Sequence, residues 1–176
     1  MSESPLLLFY LRAPLFRPPA GAGIFMSVLL RPKITPDKAS MLTIVTACST
    51  AKGIKKYFEN EGASCPDIQI KWPNDLVVNG KKLAGILTEM STQIDYINYV
   101  TVGIGINANT KKFPEELKDH ATSLYLECGH MVKRASVIAS IMKCFEEDYR
   151  LFLETEDLSS TFLYDTLTRI NSCLGL

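Results

Sequence analysis

Residues 71–89 read KWPNDLVVNGKKLAGILTE, and this stretch sets the fold. Asn79-Gly80 is a preferred dipeptide for a two-residue type I′ hairpin turn, whose central residues need positive φ. Leu76–Val78 before it and Lys81–Glu89 after it read as the two arms. Upstream, residues 67–72 (DIQIKW) alternate as a half-buried strand does, and Pro73-Asn74 breaks them. Downstream, residues 96–106 (YINYVTVGIGI) supply a further strand. Strands in succession with short connections imply an antiparallel meander.

Working outward, Ile24–Leu30 within GAGIFMSVLLR (21–31) is apolar and partly β-branched, so a buried strand is expected, closed by Pro32. Thr35 reads as an N-cap, with Pro36 at the first helical position and Asp37 in the first turn. A helix should run from Pro36 to Asn60, with Met41, Leu42, Val45, Cys48, Ile54, Tyr57 and Phe58 forming its apolar stripe. Gly53 weakens its middle. Pro114–Leu117 suggests one helical turn, and residues 133–152 an amphipathic helix. The expected class is α+β: an antiparallel or mixed sheet packed with helices. Residues 1–19 are poorly specified, and 157–176 admit a further helix without requiring one.

The 176 residues are 47% hydrophobic, enough for one domain with a real core. Nineteen basic side chains balance 19 acidic ones, so no strong field favours nucleic acid. Lys52, Lys55 and Lys56 fit the wet face of a helix. The five cysteines and two histidines lack metal-ligand spacing. The odd cysteine count, with no secretory leader, points to reduced thiols in a cytosol. The apolar run Leu6–Leu11 precedes Arg12 and Arg17, the wrong order for a signal peptide, and is too short to span a bilayer.

Asn74 and Asp75 fall at a strand break, where side chains can point at a ligand, although both are also ordinary turn residues. Lys81 and Lys82 should face opposite sides of their strand. Lys82 shares parity with Ala84 and Ile86, which puts it on an apolar face, in need of an anionic partner or a route to water. Gly103 and Gly105 share one face, with Ile104 and Ile106 on the other. Two glycines on one face suggest close approach by something flat, or a bulge. Gly-x-Gly-x-Asn, ending in Asn107, lacks the third glycine of the dinucleotide fingerprint. Gly85 interrupts the neighbouring strand. Together these describe a glycine-lined surface with a lysine and an Asn-Asp corner, suited to a small planar ligand joined to a phosphate. Trp72, the single tryptophan, reads as structural.

KWPND (71–75), KLAGILTE (82–89) and VGIGIN (102–107), in that order, resemble the catalytic core of biotin–protein ligases, the family of the bacterial biotin operon repressor. GAGIFMSVLLRP (21–32) and ATSLYLE (121–127) resemble flanking segments, so the resemblance covers residues 18–155. It implies a two-step reaction. Biotin and ATP form biotinyl-5′-AMP, and a lysine of a biotin carboxyl carrier domain then takes the biotin as an amide. By resemblance, Lys82 stabilises the crowded carboxylate–phosphate junction. Asp75 assists Mg2+ or the incoming amine. Asn74 and Asn107 hold ATP, Gly85, Gly103 and Gly105 beside Ile106 admit biotin, and Phe16 falls near the aromatic that stacks on adenine.

The resemblance also implies parts with no counterpart here. Residues 1–19 lack the family's serine-threonine pair, its biotin-contacting glutamine and its Gly-Arg loop. A DNA-binding domain is expected to be missing, and with it nucleic-acid binding. Residues 20–156 would be a partial catalytic core, and 157–176 a segment leading to a missing small β-barrel. A truncated or frameshifted gene, impaired activity, and a sheet edge open to a second copy are the corresponding expectations. The alternatives are a non-catalytic module that grips a carrier domain or an intact ligase, and an acyl ligase of the lipoate–protein ligase kind.

Overall fold

The computed structural model describes residues 20–93 and 96–158. Expectations for residues 1–19, Phe16 among them, and for 159–176 lie outside the described residues. The elements in chain order are β1 (Gly23–Leu30), α1 (Pro36–Ala39), α2 (Met41–Asn60), β2 (Gln69–Lys71), β3 (Asp75–Val78), β4 (Lys81–Thr92), β5 (Ile97–Asn107), α3 (Leu124–Cys128) and α4 (Arg134–Thr155).

The strands form a five-stranded sheet in the order β1-β5-β4-β3-β2. Every strand pair is antiparallel, so the meander from β2 to β5 is as read from the sequence. β1 closes the sheet against the far edge of β5. The one parallel feature among the described residues is an isolated bridge between Lys82 and Ala121.

Alternation then divides the sheet into two faces. Met26, Val28, Ile86, Val102 and Ile104 lie on the buried one and belong to the core. α2 crosses this face, where Thr43 Oγ1 donates to Thr88 Oγ1 at 2.8 Å. α4 packs along α2. Burying the side chains of such a core stabilises by roughly 1.5–3 kcal/mol each relative to exposure.

The helix expected over 36–60 is interrupted at Ser40, which separates α1 from α2. Ser40 Oγ donates to the carbonyl of Asp37 at 3.0 Å, a local bond that competes with the helical ladder. Thr35 stands at the N-cap in extended geometry, but its side chain makes no cap bond. Pro114–Leu117 forms a hydrogen-bonded turn rather than a helix, closed by Leu117 N–H on the Pro114 carbonyl at 2.9 Å.

Two features lock α2 to α4. Lys52 does not face water as its cluster suggested: its Nζ lies 2.8 Å from Asp148 Oδ1. Asp148 is buried and also accepts from Ser49 Oγ at 2.8 Å, so its charge is partnered at both oxygens. Gly53 marks the closest approach. A Cβ at that position would sit 2.4 Å from Ile141 Cα. The glycine that weakens α2 by propensity is what lets α4 press against it. Gly53→Ala is expected to lower stability by about 1–3 kcal/mol, because packed backbone cannot yield as a side-chain tip can. Urea unfolding of the two chains measures this.

Candidate active site

The hairpin turn is of the expected type. Asn79 and Gly80 have φ of 51° and 75°. The pairing that leaves it is irregular. Val77 pairs with Lys82, but Leu76 pairs with Ala84, so Leu83 is one extra residue in β4. Leu83 and Ala84 are both buried. A bulge of this kind shifts the alternation by one. Lys82 is therefore turned away from Ala84 and Ile86, and the parity reading that put it on their face is corrected.

The face it reaches instead is the glycine face. Strand pairing aligns Lys71 with Asp75, Asp75 with Gly85, Gly85 with Gly105, and Gly105 with Phe25. One row of side chains thus crosses all five strands. Lys82 Nζ lies 2.6 Å from Asp75 Oδ1. The lysine side chain is 50% exposed and the aspartate 23%, so the pair lies at the surface of the sheet. A pair so exposed adds less than about 1 kcal/mol to stability. Its consequence is geometric. Asp75 Oδ1 is buried and gains no well-aligned hydrogen bond, although the ammonium is close.

The glycines of the row have distinct reasons to lack a side chain. A Cβ at Gly85 would lie 3.1 Å from both Cε and Nζ of Lys82 and 3.5 Å from Asp75 Oδ1. At Gly105 it would meet the Phe25 ring at 3.4 Å. At Gly103, in the next row between Ser27 and Leu87, the nearest atom would be 3.6 Å away. The three glycines leave a strip without side chains of its own, covered at Gly85 by the end of Lys82 and bordered at Gly105 by the Phe25 ring.

This arrangement and its motifs match a known family. The sequence profile of the biotin/lipoate A/B protein ligase family matches residues 13–107. The chain belongs to this family. Its relatives in the biotin/lipoate ligase family include the bifunctional ligase/repressor BirA of Bacillus spizizenii, 46% identical over 135 residues. That match covers 76% of this chain and 40% of the relative. BirA of Escherichia coli is 27% identical over 141 residues, covering 80% of this chain and 42% of that protein. The chain therefore spans less than half the length of these relatives. Among solved structures, biotin protein ligase from Aquifex aeolicus superposes with a TM-score of 0.65 at 33% identity, over 76% of this chain and 55% of that one. The same ligase in complex with biotin and ATP gives a TM-score of 0.63 at 32% identity, over 76% of this chain and 52% of that one.

The other candidates are placed as follows. Asn74 Nδ2 donates to the Ile86 carbonyl at 3.0 Å, while the Asn74 carbonyl accepts from Ile86 N–H at 2.8 Å. Its amide thus completes the pairing where the backbone breaks, and holds Asp75 at the start of β3. Asn107 ends β5, with Nδ2 3.4 Å from the Lys82 carbonyl. Ile106 is fully buried on the core face, paired with Ile24 and Ala84. Its side chain cannot meet a ligand on the glycine face, which corrects the expectation of a contact there. Trp72 is 64% exposed at the β2–β3 corner and is not a core residue.

Phe25 and Ser27 were missed, although β1 alternation implies that they share a face opposite Ile24 and Met26. The stretch ATSLYLE (121–127) was singled out by resemblance, but its pairing with Lys82 through residues 120–122 was not foreseen. Burial pushes the Cys48 thiol up to about 12 and Cys65 up to about 11, so neither is a thiolate nucleophile at neutral pH. Gly85→Ala is expected to lengthen the contact between the ammonium and Asp75, because its methyl would stand 3.1 Å from the Lys82 side-chain end and push it aside. Gly103→Ala should leave the pair intact. The carboxyl carbon-13 shift of Asp75 reports both outcomes.

Proposed function

We propose that this chain carries the catalytic core of a biotin–protein ligase. The observation that carries the reading is the Lys82–Asp75 pair, 2.6 Å apart, set over Gly85 beside Gly105. Support comes from the motif order, from the family match, and from the likeness to a ligase solved with biotin and ATP.

The chemistry follows from the charges. In the first step a biotin carboxylate oxygen attacks the α-phosphorus of ATP, and pyrophosphate leaves. Both reactants are anionic, so the step needs fixed positive charge at their junction. Lys82 supplies it from a side chain with room to move, since half of its surface is exposed. Biotin lies on the strip over Gly103 and Gly105, where a Cβ would stand in its way. In the second step the ε-amine of a carrier-domain lysine attacks the acyl carbon, and AMP leaves. That amine must lose a proton, and Asp75 is placed to take it. Once the ammonium turns to phosphate, Asp75 Oδ1 is released from Lys82 for this use.

Mg2+ fits here as an ion held chiefly by ATP phosphates, with one carboxylate from the protein. Asp75 would be that carboxylate during the first step, before the carrier amine arrives, and would be released from Mg2+ ahead of the proton transfer. Among the described residues no group of three or more His, Cys, Asp and Glu could hold a metal by itself. Bound Mg2+ would offset charge on the phosphates. ATP and a carboxylase's carrier domain place the reaction in the cytoplasm. Among the described residues no helix is long and apolar enough to cross a membrane.

The test is the mass of an isolated carrier domain after incubation with the chain, biotin and Mg-ATP. A biotin-sized increase on one lysine is expected. Lys82→Ala should cut its rate by about 100-fold or more, the usual consequence of removing a preorganised charge donor. No increase, with a chain shown to be folded, would sink the reading. Asp75→Asn separates the steps. Carrier labelling is expected to fall by about 100-fold for loss of a general base, while pyrophosphate release in the absence of carrier falls less.

A further inference from the structure

We infer that Glu127 is a positioning residue for Lys82, acting through Thr122 and the backbone of residues 120–122. The inference rests on the reading of Lys82 as the catalytic lysine. Lys82 stands at the weakest point of the sheet. The bulge at Leu83 disturbs its pairing with β3. On its other side β5 has already ended, since Ala84 is the first residue of β4 with a β5 partner. The segment 120–122 takes the place of β5. Lys82 N–H donates to the His120 carbonyl at 2.8 Å, and Thr122 N–H donates to the Lys82 carbonyl at 2.9 Å. The backbone N–H of Lys82 is thus held by a loop, and its carbonyl by the same loop together with the longer contact from the Asn107 side chain at the end of β5.

That loop has its own anchor. Thr122 is buried, and its hydroxyl donates to Glu127 Oε1. The other oxygen of the same carboxylate faces Asn79 Nδ2 at 3.4 Å. Asn79 lies in the turn that leads into Lys81 and Lys82. Glu127 therefore ties together the two backbone segments that flank Lys82: the hairpin turn before it and the strap beside it. Capping α3 does not need this side chain. Ser123 already does that, accepting from Leu126 N–H at 3.1 Å while its hydroxyl donates to the Thr110 carbonyl. The hydrogen bonds of the Glu127 carboxylate go to Thr122 and Asn79, so its effect on chemistry is indirect. Displacing a reacting group by about 1 Å can cost on the order of 100-fold in rate. A lysine whose backbone is held by two loop bonds is open to such displacement.

The test uses Glu127→Ala, Glu127→Gln and, as a control on the same helix, the exposed Leu126→Ala. Glutamine keeps an acceptor for the Thr122 hydroxyl. Hydrogen exchange of the Lys82 amide is followed by NMR, with Val102 and Ile104 as core references. Glu127→Ala is expected to speed Lys82 exchange by about tenfold or more while the references hold, as local opening requires. In parallel, kcat for biotin-dependent pyrophosphate release should fall by about tenfold, with KM for biotin moving less than about twofold. Glu127→Gln should recover most of both losses, and Leu126→Ala should show neither. Unchanged exchange at Lys82, equal loss at the core references, or a glutamine variant no better than alanine would overturn the inference. A wild-type chain that releases no pyrophosphate would sink the catalytic reading instead. The exchange measurement would still decide whether Glu127 holds Lys82.

Discussion

The arrangement of this site depends on one extra residue in a β-strand. Leu83 has no separate partner on β3, and the register on either side of it differs by one. With regular pairing, Lys82 would point beneath α2, where an ammonium without a partner costs several kcal/mol. The bulge instead sends two successive apolar side chains, Leu83 and Ala84, into the core. It delivers the lysine to the open face, 2.6 Å from Asp75. A local break in the ladder thus separates a hydrophobic need from a chemical one at adjacent positions.

The same division runs across the whole sheet. One face is covered by α2 and packed with branched aliphatic side chains. The other carries no side chains at Gly85, Gly103 and Gly105. Glycine serves opposite ends on the two sides. Gly53 removes a side chain so that α4 can close on α2, whereas Gly85 removes one so that Lys82 has space to lie over the sheet. The first is a requirement of stability, and the second a requirement of the site.

Polar side chains secure the places where regular structure ends. Asn74 supplies a ladder bond that the backbone cannot make at the corner before β3. Asn109, just beyond β5, pairs both its amide atoms with Val132 and so fixes the approach to α4. Thr122 and Glu127 do the same for the loop that replaces β5 beside Lys82. The two asparagines bond directly to backbone that would otherwise lack a partner, while Thr122 and Glu127 bond to each other and brace a loop whose backbone pairs with Lys82. Lys82 sits where two of these irregular ends meet.

The sequence by itself determined the meander, the type I′ turn at Asn79-Gly80 and the helix of α4, because turn chemistry and apolar period are local signals. It also singled out Asp75, Gly85, Gly103 and Gly105, of which strand pairing aligns Asp75, Gly85 and Gly105 in one row. Only the tertiary structure decided the face of Lys82. A bulge arises from pairing between strands and leaves no mark in the residue pattern of one strand. Ile106, by contrast, is core as strand alternation implied, and only the resemblance had put it beside a ligand. Lys52, one of three clustered lysines, proved to be the partner of a carboxylate 96 positions away. Contacts between distant segments set these outcomes, and no local pattern records which segments will meet.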